Sequence, residues 1–135
     1  MCGISAAIRL SLRPLPDLAP RLQAMNRLQE HRGPDGEGLW LHPDRHVGFG
    51  HRRLSIIDLV TGAQPMRDPG GNWVTYNGEI YNYVELRDEL GNDQFATTSD
   101  TEVLLHAYRR WGQECGHRYQ GMFAFALWDD ARQEL

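Results

Sequence analysis

The most apolar stretch of the chain, Met122–Trp128, is only seven residues long, and that length restricts the fold more than any other feature. A membrane-spanning helix needs ~18 or more apolar residues. The run therefore reads as a strand, ending at the turn residues Asp129-Asp130. Leu39–Leu41, Val47–Gly50 and Trp73–Tyr76 are further short strand candidates separated by turn residues, and Cys2–Leu10 reads as a buried strand. Helical spacing lies between them. Leu18, Leu22, Met25 and Leu28 recur on one face before Gly33-Pro34-Asp35-Gly36 stops the chain in a tight turn. Two more helix starts pair a polar cap with a glutamate three residues on, at Asn82–Glu85 and Ser99–Glu102. The second places Val103, Leu104, Ala107, Tyr108 and Trp111 on one side, with Gly112 as a left-handed closure. Without a regular strand-helix-strand rhythm, the expected fold class is α+β rather than doubly wound.

Charge narrows the function classes. The 135 residues carry 14 basic and 18 acidic groups, a formal net charge of -4, which leaves no basic footprint for nucleic acid or an anionic membrane. All 14 basic residues are arginine. With no lysine, Schiff-base chemistry and a phosphate loop ending Gly-Lys-Ser/Thr are excluded. Two cysteines, Cys2 and Cys115, are too few for a disulfide framework or a four-cysteine zinc site. The first residues lack the basic-then-apolar order of a secretory signal, so a cytoplasmic location is expected.

Four segments carry groups suited to chemistry, each with a plainer alternative. Cys2 becomes the first residue if Met1 is removed, and then offers a thiol and a free α-amine together. It equally suits an ordinary cysteine buried in the first strand. Asn77-Gly78 has the preferences of a turn between two strands; alternatively its amide and backbone N–H supply two neutral donors to an oxyanion. Arg52-Arg53 suits a solvated face with Asp58 as partner, or a bidentate grip on a carboxylate. Ser99-Asp100-Thr101-Glu102 is a helix cap whose acids suit the macrodipole, or a seat for an ammonium. The six histidines are expected at the surface or in caps, with no metal site, and Cys115 as a small buried hydrophobe.

Together these segments resemble the glutaminase domain of the asparagine synthetase family, among the class II glutamine amidotransferases, which are N-terminal-nucleophile hydrolases. The matching pieces are Met-Cys-Gly-Ile at 1–4, His-Arg-Gly-Pro-Asp-Gly at 31–36 and Gly-His-Arg-Arg-Leu-Ser-Ile-Ile-Asp at 50–58. Gly-Ala-Gln-Pro at 62–65, Tyr-Asn-Gly-Glu-Ile-Tyr-Asn at 76–82, Ser-Asp-Thr-Glu-Val at 99–103 and Gly-Met-Phe-Ala-Phe-Ala-Leu-Trp-Asp at 121–129 follow in the family's order.

The resemblance implies a four-layer αββα sandwich of two antiparallel sheets. It also implies that Cys2 attacks the side-chain amide of L-glutamine, with Asn77 and Gly78 as the oxyanion hole. Arg53, helped by backbone near Leu54 and Ile57, would hold the α-carboxylate; Glu79 and Asp100 would hold the α-ammonium. The His31–Gly36 loop is assigned to shape and closure. No cofactor is implied for the glutaminase step; ATP and Mg belong to a synthetase half that has no counterpart here. Residues 1–135 are thus expected to be a partial type-2 amidotransferase domain, lacking C-terminal sheet and marginally stable or self-associating alone. A synthetase domain or subunit is the expected ammonia acceptor, and a homo-oligomer is allowed. A non-catalytic remnant that binds glutamine or a partner is the competing expectation.

Overall fold

The computed structural model describes residues 2–55 and 62–135. In chain order the elements are β1 (Gly3–Ile8), α1 (Leu18–Leu28), β2 (Gly36–Leu41), β3 (Val47–Arg53), β4 (Met66–Arg67), β5 (Trp73–Ile80), α2 (Tyr83–Leu90), α3 (Asp100–Trp111) and β6 (Gly121–Trp128). They form two antiparallel sheets, one ordered β1-β3-β2 and the other β4-β5-β6. Helix α1 packs on the first sheet, α3 packs on β4 and β5 with α2 beside it, and β5 meets β1 and β3 face to face. The order of layers is helix, sheet, sheet, helix. This is the expected αββα sandwich.

Alternation along β5 explains how one strand serves two cores. Val74, Tyr76 and Ile80 pack with Val103, Leu104, Leu105 and Ala107 of α3, while Trp73 joins Val47, Phe49, Trp40 and Trp128 between the sheets. Trp128 is fully buried, but the apolar strand is not buried throughout: Met122 is 70 % exposed. In α1 the buried stripe is Leu18, Leu22 and Asn26, at i, i+4 and i+8, whereas Met25 and Leu28 are exposed. Asn26 earns its burial by hydrogen bonding. Its Nδ2 donates to the Gly38 carbonyl at 3.0 Å, and Ser5 Oγ donates to its Oδ1 at 3.3 Å, tying α1 to β2 and β1.

The two expected caps differ in outcome. Ser99 Oγ accepts from Thr101 N, but Glu102 reaches back to Ala96 N and Thr97 N instead of closing a box. Asn82 precedes α2 without capping it; its side chain accepts from Gln120 N and donates to the Arg118 carbonyl, pinning α2 to the start of β6. Gly112 has positive φ (60°) with ψ -143°, so it ends α3 outside the left-handed helical well. Tertiary partners outbid the local ones at these ends.

The expectation for the histidines fails: His42, His46, His51 and His106 are buried. His51 shows why this matters. The Thr75 hydroxyl donates to the Gly50 carbonyl, so its oxygen accepts from His51 Nδ1–H at 3.2 Å, while Nε2 is buried without a partner among the described residues. Burial, and secondarily the Arg53 charge, lower the His51 pKa to about 4. Between the ordinary value near ~6.5 and about 4, the unfolded chain takes up a proton that the folded chain refuses. His51 therefore withholds nothing above the unfolded value, and stability falls as pH drops through that window, by up to about 3 kcal/mol. His51→Asn, which keeps a donor for Thr75, is expected to flatten the acid slope of the urea midpoint between pH 7 and 4.5. An unchanged slope would clear His51 as its source.

Candidate active site

The β1–β3 ladder sets the first reactive group. Gly3 pairs with Arg52, so Cys2, one residue before the ladder, lies beside Leu54, just past the end of β3. Its Sγ accepts a hydrogen bond from Leu54 N at 3.3 Å and sits 3.6 Å from the Leu54 carbonyl oxygen, to which the thiol donates. Gly3 lets the end of α1 pack closely on β1, since a Cβ there would lie 2.6 Å from Gln29 Oε1.

The His31–Gly36 loop braces this corner. Arg32 Nε donates to the Cys2 carbonyl at 3.2 Å, Asp35 N donates to the Arg53 carbonyl, and Asp35 Oδ2 accepts from Ser55 N at 2.8 Å. A Cβ on Gly33 would lie 2.3 Å from the Arg52 backbone, so only glycine lets the loop pack this closely. Arg52 is no solvated face. It is buried, with Nε on the Gly33 carbonyl and Nη1 on Glu37 at 2.9 Å. The two adjacent arginines divide the work: Arg52 holds the loop and Arg53 lines a cavity.

That cavity, about 270 Å³, brings Cys2, Arg53, Leu54, Asn77, Gly78, Glu79 and Asp100 together. Of the residues singled out from sequence, Ile57 lies outside the described residues, as does Asp58. Asn77-Gly78 is not a turn. Both residues lie inside β5, paired with Ala124 and Phe123 of β6. A Cβ at Gly78 would lie 2.3 Å from the Met122 carbonyl oxygen, so close approach of β6 requires glycine here. Asn77 Oδ1 is buried with no hydrogen-bond partner among the described residues, so the carboxamide is not spent on holding the fold.

At the other end of the cavity Asp100 opens α3 and is buried. Its Oδ2 accepts from Tyr76 Oη at 2.6 Å and from Ile80 N at 3.1 Å, which fixes the carboxylate against β5. Burial and then the bond to Asp100 push the Tyr76 phenol far above its ordinary range, so it stays a donor at any physiological pH. One cationic fork and two carboxylates around one cavity match the charge pattern of a zwitterionic amino acid.

The sequence pattern of the glutamine amidotransferase domain matches residues 1–135, the whole chain. The chain belongs to this family. A Bacillus subtilis protein named asparagine synthetase [glutamine-hydrolyzing] 1 is 46% identical over 133 residues, covering 96% of this chain and 21% of the relative. Amidase chry2 of Gibberella zeae is 40% identical over 146 residues, covering 100% of the chain and 22% of that protein. The chain thus spans about a fifth of the length of these curated relatives. A solved structure of glutamine phosphoribosylpyrophosphate amidotransferase from B. subtilis superposes with a TM-score of 0.69 over 94% of this chain and 35% of that one. At 21% identity that likeness speaks to the fold.

Gln64 of this amidotransferase domain went without a role in the sequence reading. Its Oε1 accepts from Tyr76 N at 2.6 Å and its Nε2 donates to Thr101 Oγ1 at 3.3 Å, so one side chain ties β5 to α3 across the cavity wall. Its own carbonyl oxygen would lie 1.7 Å from a Cβ on Gly38, which ties β2 to the same wall. Tyr76 and Thr101 were likewise read only as flanking residues. Both lie inside the family-like motifs at 76–82 and 99–103, but no spacing rule marks them. Cys115, by contrast, is buried as expected, and burial raises its thiol pKa.

Proposed function

We propose that this domain hydrolyses the side-chain amide of L-glutamine to glutamate and ammonia, with Cys2 as nucleophile once Met1 has been removed. The observation that carries the reading is the convergence of Cys2, Asn77, Gly78, Arg53, Glu79 and Asp100 on one cavity, from four separate stretches of chain. The freed α-amine, with an ordinary pKa of roughly 7.7–8.0, takes the thiol proton through a bridging water. The thiolate attacks the amide carbon, and Asn77 Nδ2 with Gly78 N–H receive the charge that develops on oxygen. The carbon–nitrogen bond breaks, the α-ammonium returns its proton to the departing nitrogen, and ammonia leaves a γ-glutamyl thioester. Water, deprotonated by the same amine, attacks the thioester and releases glutamate and the thiol.

Arg53 holds the α-carboxylate in this scheme, helped by backbone near Leu54 and, from sequence alone, Ile57, and Glu79 and Asp100 hold the α-ammonium. These charges are the same in the ground and transition states, so their loss acts on binding. Arg53→Ala is expected to raise KM for glutamine by about 10- to 100-fold with little change in kcat, read from steady-state glutamate release. A fall in kcat at unchanged KM would move Arg53 out of the carboxylate site.

In a longer protein the ammonia passes to an asparagine-synthetase-like half, where ATP and Mg do the activation; a cytoplasmic setting suits that chemistry. Among the described residues no helix is long and apolar enough to cross a membrane. The deciding experiment is a glutaminase assay of the protein with its N-terminus verified by mass, with and without a synthetase partner. Turnover by Met1-free protein and none by Met1-retaining protein supports the reading. Equal turnover, or none from either, overturns it.

A further inference from the structure

The connection from β2 to β3 holds a cluster that glutamine chemistry does not use. His42 and His46 stand four residues apart, a ligand spacing passed over in the expectation of no metal site, with Asp44 between them. One nitrogen or carboxylate oxygen from each of the three lies within 4.8 Å of the others, and no other such group occurs among the described residues. His46 is 1% exposed, yet neither its Nδ1 nor its Nε2 has a hydrogen-bond partner among the described residues. A ring that only filled space would gain by being apolar, so two nitrogens without protein partners need another explanation.

We propose that His42, Asp44 and His46 bind a divalent transition ion of the zinc class, a site separate from the glutamine cavity. The neighbours complete such a site. Asp130 Oδ1, anchored by Trp128 Nε1–H at 3.1 Å, accepts from His42 Nε2–H at 3.1 Å. A carboxylate on the far nitrogen of a histidine orients the ring and leaves the near nitrogen for a metal. That near nitrogen, Nδ1, lies 3.8 Å from Asp44 Oδ2, close to the edge of a tetrahedron built on ~2.0–2.2 Å bonds. It now accepts from Asp44 N at 3.1 Å, a bond the ion replaces. The Asp44 side chain is 76% exposed and has room to swing inward. Trp128 walls the site, its ring 5.3 Å from that of His46 and 5.9 Å from that of His42.

Two neutral imidazoles and one carboxylate, with solvent as a fourth ligand, suit zinc, copper or nickel over calcium or magnesium. The site sits before Val47, at the opposite end of β3 from Arg53, roughly 20 Å away by strand rise. An ion there would clamp the β2–β3 connection, which already reaches Trp128 and Asp130 at the end of β6, and so fasten one sheet to the other.

The test is calorimetric titration of zinc into the full chain carrying Cys2→Ala, which removes the N-terminal thiol as a competing ligand. One zinc per chain is expected, with a rise in melting temperature at saturation. His46→Phe keeps the packing on Trp128 but lacks nitrogens, and is expected to weaken binding at least about tenfold. A smaller loss in a variant with unchanged circular dichroism overturns the site, as does the absence of binding below ~100 µM zinc in the parent. If His46→Phe does not fold, Asp44→Asn, at an exposed carboxylate, decides by the same tenfold criterion.

Discussion

Cys2→Ala is expected to lower glutamine hydrolysis by more than about 10⁴-fold, whereas Cys115→Ala leaves kcat and KM nearly unchanged. The two thiols differ in everything that governs nucleophilicity. Cys2 meets the cavity, takes a backbone N–H on its sulfur, and stands next to the α-amine once Met1 is gone. Cys115 is buried in the α3-side core, where desolvation raises its pKa and keeps it a protonated thiol. Replacing it removes one sulfur from a packed core, a cost of about 1 kcal/mol that shows in melting temperature and not in turnover. Cys2→Ser tests the same point chemically. A hydroxyl is far less ionised than a thiol near neutral pH, so that variant is also expected to be severely impaired in a glutamate-release assay. Comparable losses from Cys2→Ala and Cys115→Ala would remove Cys2 from the mechanism.

Asn77→Ala carries the second large effect, a fall in kcat of about 10²–10³ with a much smaller change in KM. In the proposed mechanism the carboxamide donates to charge that exists only as the tetrahedral intermediate forms, so the loss would belong to the transition state. Stability is the necessary control, and the structure makes it clean. Asn77 Oδ1 has no hydrogen-bond partner to orphan among the described residues, so Asn77→Ala is expected to melt close to the parent. Gly78→Ala behaves oppositely: its new Cβ would press to 2.3 Å from the Met122 carbonyl and force β5 from β6, lowering the melting temperature. A variant Asn77→Ala with wild-type kcat and raised KM would assign Asn77 to substrate binding instead.

Much of this was legible in the residues because it depends on neighbours in sequence. Short apolar runs bounded by turn residues marked β1, β3 and β6, helical spacing marked α1 and α3, and Ser99 marked the start of α3, since these signals act within a single turn or strand. The same local rules misread Asn77-Gly78, whose turn preference was overruled by pairing with Ala124 and Phe123. They offer no signal for the burial of Asn26, because a buried amide is tolerable only where Ser5 and Gly38 from other strands satisfy it. The same holds for Arg52: its burial rests on Gly33 and Glu37, about fifteen to twenty residues away.

The sequence by itself determined the α+β class, the ordered motifs, and the reactive types present: one near-terminal thiol, arginine without lysine, and acids at a helix start. Those follow from composition and from spacing along one chain. Only the tertiary structure decided that Cys2, Arg53, Asn77 and Asp100 share a cavity, that Gln64 joins its walls, and that four histidines are buried. The physical reason is register. The pairing of Gly3 with Arg52, and the stacking of β5 on β1 and β3, bring together residues separated by tens of positions. No local preference encodes such a pairing; it emerges when two apolar sheet faces are buried against each other.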